Sequence, residues 1–328
     1  MLSRSTQNPI IVADPGFVWR SIKVYNPTII KDSAGYHMLF RGIGGDWISR
    51  IGLAHSTDGT HFRVEAEPVM APLYPWEKDG CEDPRIIKID DTYWLTYTAF
   101  DGKTARAAIA SSQSLHAWER RHLLFPDWHH NIKPEFEADW SKAAAIIPKQ
   151  INGKYHMLFG DSHIWPATSD NLSDWQPQTT PLISKRAGFF DEAYVEMGPP
   201  PILTDRGWLV LYHGIDSLAS NRTYRLGAAL LDEHDPQKLI WRCTEPLMEP
   251  EGIHEVVGFI DVIEGGFKTL KNIKLKDLHE LHLQKKLPTA IFCCGAVLEA
   301  NNVVRIYYGA GDTVICTATI DLPTIFSR

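Results

Sequence analysis

The sequence predicts an all-β, five-bladed β-propeller occupying residues 1–328 as one domain. Three observations carry this expectation. An aromatic strand recurs five times, a shorter apolar run precedes each copy across a turn rich in Asp, Asn and Gly, and a small-residue apolar strand follows each copy. A fixed order of short strands at a period of 50–60 residues, about four strands per copy, marks a propeller blade; a β-sandwich would need the same order to arise five times by coincidence.

The aromatic strands are Tyr36 to Arg41, Tyr93 to Thr98, Tyr155 to Gly160, Trp208 to His213 and Val304 to Gly309. The runs before them are Pro27 to Ile30, Pro84 to Ile87, Ala144 to Ile147, Pro200 to Leu203 and Ala296 to Leu298. Between them lie Asp32 to Gly35, Asp90-Asp91, Asn152-Gly153, Asp205 to Gly207 and Asn301-Asn302, residue types that tolerate the positive φ of tight hairpins. The third strands are Ile51 to Ala54, Ala107 to Ala110, Ile164 to Ala167, Leu226 to Ala229 and Ile315 to Ala318. In the first three copies a polar turn leads to an aromatic at Phe62, Trp118 or Trp175, where a fourth strand is expected.

The leading aromatics step by 57, 62 and 53 residues, then by 96 from Trp208 to Val304, so the last interval holds an insertion at about 254–287. It is rich in Lys, Leu and His, and Leu275, Leu278, Leu281 and Leu283 have a partly helical spacing. It is expected to pack on the propeller or on a second copy of the chain.

Composition narrows the function. With 44% hydrophobic and 11% aromatic residues the chain can bury a large core. A net charge of −7 without a basic stripe argues against nucleic acid as a partner. No long apolar run opens the chain, so neither a signal peptide nor a membrane span is expected. Five cysteines, an odd number with Cys293 and Cys294 adjacent, read as reduced thiols of a cytoplasmic protein. They form no CxxC pair, and neither a metal nor an organic cofactor is expected.

The chemistry concentrates at strand boundaries. Gly80-Cys81-Glu82-Asp83-Pro84-Arg85 opens one strand and Asp101-Gly102 closes its hairpin partner, so carboxylates and an arginine should meet at one rim, suited to a polyhydroxylated or anionic ligand. Boundaries in the other copies add Asn26, Arg41, Arg50, Lys142, Asp161, Glu196, His213 and Asp312. Against this stand plainer readings: Asp83 as a cap before Pro84, Asp101-Gly102 as an ordinary turn. Trp128, His129, His130 and Trp140, in the loop from Asp127 to Ser141, are candidates for stacking on a sugar, whereas Trp47 and Trp165 read as packing residues.

The segments Gly80 to Ile86, Thr96 to Gly102, Gly198 to Gly214 and Ile306 to Asp312 together resemble glycoside hydrolase family 130, five-bladed propellers acting on β-mannosides. The resemblance implies an inverting enzyme on a β-mannoside oligosaccharide, with Asp101 as general acid, Asp312 on sugar hydroxyls and Asp83, Arg50 and Asn26 in the same subsite. A general acid must stay protonated near neutral pH, so Asp101 is expected in surroundings that raise its pKa. Phosphorylases of the family use inorganic phosphate, and hydrolases use water. Where phosphorylases carry a His-Arg-Pro-like segment this chain has Gly160-Asp161-Ser162, and Tyr194 and Glu196 replace a lysine and a glycine. Asp161 and Glu196 should repel phosphate, which favours a β-1,2-mannosidase with Glu196 as base. Cys293-Cys294-Gly295 is phosphorylase-like, and His213, with Arg85 or Lys142, is compatible with an anion site; phosphorolysis yielding mannose 1-phosphate is therefore the alternative. A sugar-binding propeller without catalysis is the third reading.

Overall fold

Each aromatic run forms the second strand of an antiparallel meander. The computed structural model describes residues 1–130, 132–133, 138–217, 223–255 and 289–328. The expected insertion lies almost wholly outside them, as do parts of the loop from Asp127 to Ser141. The first meander comprises Lys23–Asp32, Gly35–Ile43, Ser49–Ser56 and Arg63–Val64, and the second Gly80–Ile89, Thr92–Phe100, Ala105–Ser112 and Glu119–Leu123. The third is Ala145–Ile146, Tyr155–Phe159, Trp165–Ser169 and Trp175–Pro177. In the fourth, Tyr194–Met197 and Ile202–Thr204 both pair with Gly207–Ile215, followed by Thr223–Leu231 and Leu239–Arg242. The last has three strands in sequence, Thr289–Glu299, Val303–Ala310 and Val314–Asp321, and takes its fourth from the other end of the chain, Ser3–Arg4. That partner is two residues long, too short to leave a pattern in the sequence.

The meanders join in chain order, and the last also meets the first. Parallel bridges Ser49–Gly80, Arg106–Ser141 and Thr223–Thr289 link the third strand or its end to the start of the next unit. Asp161 bridges Glu196, and Val24 N–H donates to Thr313 O at 3.1 Å. Five hydrophobic clusters fill the spaces between adjacent units. Leu39, Ile51, Ile86 and Leu95 lie between the first two; Trp94, Ile109, Phe159 and Trp165 between the next two; Leu158, Val195, Val210 and Trp208 between the third and fourth. Leu209, Leu226, Ile306 and Tyr308 follow, and Met38, Phe40, Tyr307 and Ile315 close the circuit. Apolar residues alternate along each strand so that both faces of a sheet meet a neighbouring sheet, which is why the strands are buried on both sides. All five cysteines are free and buried. No helix among the described residues is long and apolar enough to cross a membrane.

Candidate active site

The first strand of a unit carries a bulge where its chemistry sits. Register shifts fall between Tyr25 and Thr28, Glu82 and Arg85, and Phe292 and Gly295. Asn26 and Asp83 occupy the left-handed region at φ 48° and 47°, which Asn and Asp tolerate, and the proline after each has no N–H to leave unpaired. Ala143, beside Lys142, also has a positive φ of 55°, where a β-carbon is strained. A bulge bends its strand and re-aims a side chain. Here Asn26, Asp83 and Phe292, at the bulges of three units, join Arg41, Lys142, Glu196, Tyr224 and Asp312 around a cavity of about 320 Å³ that Tyr25 and Ala290 complete, drawn from all five units. Gly309 abuts this wall: a β-carbon there would lie 2.7 Å from Asn26 Oδ1 and 2.8 Å from its backbone N.

Both cations of the cavity are held by carboxylates. Arg41 donates to Glu82 Oε1 at 2.5 Å, to Asp83 Oδ1 at 3.3 Å and to Ser49 Oγ at 2.9 Å. Lys142 Nζ lies 2.6 Å from Glu196 Oε1 and 3.7 Å from Asp161. Burial opposes the charge on each, but the neighbouring carboxylates outweigh it and hold both cations above their usual range. Burial also pushes Glu82 up, whereas Arg41, Lys142 and the Asn26 amide overcome it at Asp83 and hold that carboxylate below its usual range. Asn26 donates to Asp83 Oδ1 at 2.7 Å, and its own Oδ1 is buried without a hydrogen-bond partner. Tyr194 Oη is 3.0 Å from Glu196 Oε2 and 2.9 Å from Asp161 Oδ2, which fixes the Glu196 carboxylate from the side away from Lys142. Asp312 is pushed up to about 6 by burial and Asp83, against Lys23, Arg41 and Lys142.

The expected residues therefore divide. Asn26, Arg41, Asp83, Lys142, Glu196 and Asp312 line the cavity, and Asp161 stands behind Lys142 and Glu196. Asp101 is not among the lining residues. It is half-exposed, and its Oδ1 accepts the N–H groups of Lys103 and Thr104 at 2.9 and 2.7 Å. Arg50 lies away from the cavity, paired with Asp46 at 2.7 Å. Arg85 is buried and donates to the carbonyls of Met197, Gly198 and Asp83 at 2.7, 2.7 and 3.0 Å, clamping two first strands together.

The anion-site reading of His213 is corrected by its surroundings. Its Nε2 accepts the Cys293 N–H at 2.9 Å, its ring stacks on Phe292 at 4.0 Å, and burial with Arg85 and Lys142 lowers its pKa to about 3. As a neutral ring it brings no charge to an anion, and its Nδ1, which carries the proton, is buried without a hydrogen-bond partner. Trp128, a stacking candidate, is 4% exposed and packs on Phe159 and Trp165, while Trp47, read as packing, is 57% exposed. Tyr25, Tyr224 and Phe292 were not picked out by sequence; they line the cavity beside the bulges, and only adjacency to Asn26 and Cys293 marked two of them.

A small, polar, carboxylate-rich cavity on an all-β set of meanders suits a carbohydrate-active enzyme. The family model described as beta-1,4-mannooligosaccharide phosphorylase matches residues 4–265, and the chain belongs to this family, glycoside hydrolase family 130, acting on mannosides. The chain is similar to the 1,2-beta-oligomannan phosphorylase of Thermoanaerobacter sp. (strain X514), 33% identical over 99% of this chain and 98% of that protein. The beta-1,2-mannobiose phosphorylase of the same organism is 31% identical over 98% and 97%. Among solved structures, one from work describing glycoside hydrolases within the family that target beta-1,2 mannosidic linkages in Candida mannan superposes with a TM-score of 0.80. It is 27% identical and covers 98% of this chain and 94% of that one.

Proposed function

We propose that this chain is a five-bladed propeller that cleaves β-mannosides with inversion, the mannose being held in the charged cavity. The five meanders and five intervening clusters support the blade count. Asn26 Oδ1 supplies a buried acceptor without a partner, and Asp83 and Asp312 supply further oxygens, a set suited to sugar hydroxyls. Five free, buried thiols fit a cytoplasmic enzyme.

The nucleophile divides the reading. The names of the two Thermoanaerobacter relatives favour phosphorolysis, and on relatives alone it is the better supported course. The charges of this chain favour water, and we take hydrolysis as the reading because one observation on its own residues carries it: both cavity cations, Arg41 and Lys142, are already ion-paired. A phosphate entering beside them meets Glu196 and Asp83, and His213 is neutral. Glu196, oriented by Lys142 and Tyr194, is then the base that takes the proton of water. In this reading Asp101, though outside the cavity lining, is the general acid, protonating the glycosidic oxygen directly or through a sugar hydroxyl. Incubation with β-1,2-linked mannobiose, with and without phosphate, tests this. Free mannose at a rate indifferent to phosphate supports hydrolysis; mannose 1-phosphate formed only with phosphate establishes phosphorolysis and removes Glu196 as base.

A further inference from the structure

Outside the cavity lining, across the first unit and the adjoining turn of the second, five ionisable side chains form a connected group. His37 and His55 are directly opposed across two strands, with Nδ1 atoms 2.8 Å apart. His37 Nε2 lies 3.1 Å from Asp32 Oδ1, and His55 Nε2 lies 3.5 Å from Glu65 Oε1. His116, from the turn after the third strand of the second unit, stacks near His55 at 6.2 Å between ring centres. One ligand atom from each of His55, Glu65 and His116 can be chosen so that all lie within 4.8 Å of one another.

The proton positions in this chain follow from its ends. The Asp32 carboxylate only accepts, so His37 Nε2 carries the proton it receives. With one proton on the His37 ring its Nδ1 is a lone pair, and the 2.8 Å contact then places the proton on His55 Nδ1. His55 Nε2 is left as a lone pair facing the Glu65 carboxylate, two acceptors that need a cation between them. Arg63 approaches Glu65 Oε1 at 3.0 Å and screens part of its charge. At His116 the ring Nδ1 bonds Ser114 O at 2.8 Å, which places the proton there and leaves Nε2 bare as well.

We propose that His55, Glu65 and His116 bind one late first-row divalent ion of the Zn²⁺ class, joining the outer edges of the first two units. Two imidazole nitrogens and a carboxylate suit such an ion, and water completes the shell. Tetrahedral ligands on bonds of about 2.0–2.2 Å stand roughly 3.3–3.6 Å apart, so closure needs about an ångström of side-chain movement, which exposed His116 can supply. Asp32 and His37 act as the outer partners that fix the His55 tautomer.

The test is calorimetric titration of ZnCl₂ into the chelator-treated full chain at pH 7.5, alongside thermal melting. One site is expected, with a melting temperature raised by Zn²⁺. His116→Ala and Glu65→Gln should each weaken binding at least tenfold and abolish the shift, while circular dichroism shows the fold retained. His37→Ala, lacking only an outer partner, should weaken binding about 10- to 100-fold. Absence of saturable heat, or an isotherm unchanged by His116→Ala and Glu65→Gln, overturns the proposal.

Discussion

The five first strands open on two very different mouths. At the bulged end lies the 320 Å³ charged cavity. At the other lies a larger hollow of about 590 Å³ lined by Ile29, Ile86, Pro200, Ile202, Ala296 and Leu298, with Lys31, Lys88 and Lys149 at its edge, again drawn from all five units. Size alone would select the apolar hollow over the charged cavity. The large mouth is where regular strands end and alternate apolar residues face one another; the small one is where bulges break the alternation and carry polar side chains inward. The difference teaches that charged groups gather where strand ends and three register breaks meet, whatever the volume.

That contrast can be broken in four ways. The largest effect is expected at Glu196→Gln, since an amide cannot take a proton from water: hydrolysis of mannobiose should fall by about 10³-fold or more, with the fold retained by circular dichroism while loss of the buried pair with Lys142 lowers the melting temperature. Next comes Asp101→Asn, expected to cost roughly 10²–10³-fold on natural mannosides and much less on substrates with good leaving groups. Equal loss on both substrate types would deny it the acid role.

Asp312 gives a stability readout. Its folded pKa of about 6 lies above the ordinary 3.8, so between those values the folded state holds a proton that the unfolded state has released. Stability contributed by this group is present below about pH 4 and declines as pH rises to about 6, by at most about 3 kcal/mol. Asp312→Asn, whose amide tolerates the φ of 53°, should remove that decline while weakening sugar binding; urea midpoints at pH 4 and pH 7 measure it. The smallest effect belongs to the other mouth: Leu298→Ser should leave turnover within about twofold, because an exposed apolar edge residue there touches none of the reacting groups.

The same contrast explains what the sequence made legible. The strands and hairpins were readable because aromatic runs, small-residue runs and Asn, Asp or Gly turns repeat locally, and each expected run lies in or overlaps a strand. Side-chain direction was not. Strict alternation places Asp83 and Arg85 on one face, but the bulge between Glu82 and Arg85 sends Asp83 to the cavity and Arg85 to the backbone of Met197 and Gly198. His213 reads in sequence as compatible with phosphate, and only the fold shows the burial and two nearby positive charges that lower its pKa to about 3. The histidines of the proposed ion site are spread over positions 37, 55 and 116, so only the pairing of strands and the packing of two units bring them together.

The central claim is that the small charged cavity, and not the larger apolar mouth, holds the mannose without an accompanying phosphate. A crystal structure of the chain soaked with both mannose and phosphate tests it most directly. The account predicts a mannose ring within hydrogen-bond distance of Asn26, Asp83 and Asp312, with no anion displacing the Lys142–Glu196 pair. A sugar seated among Ile29, Ile86 and Leu298, or a phosphate bound to Lys142 with Glu196 turned away, would contradict it.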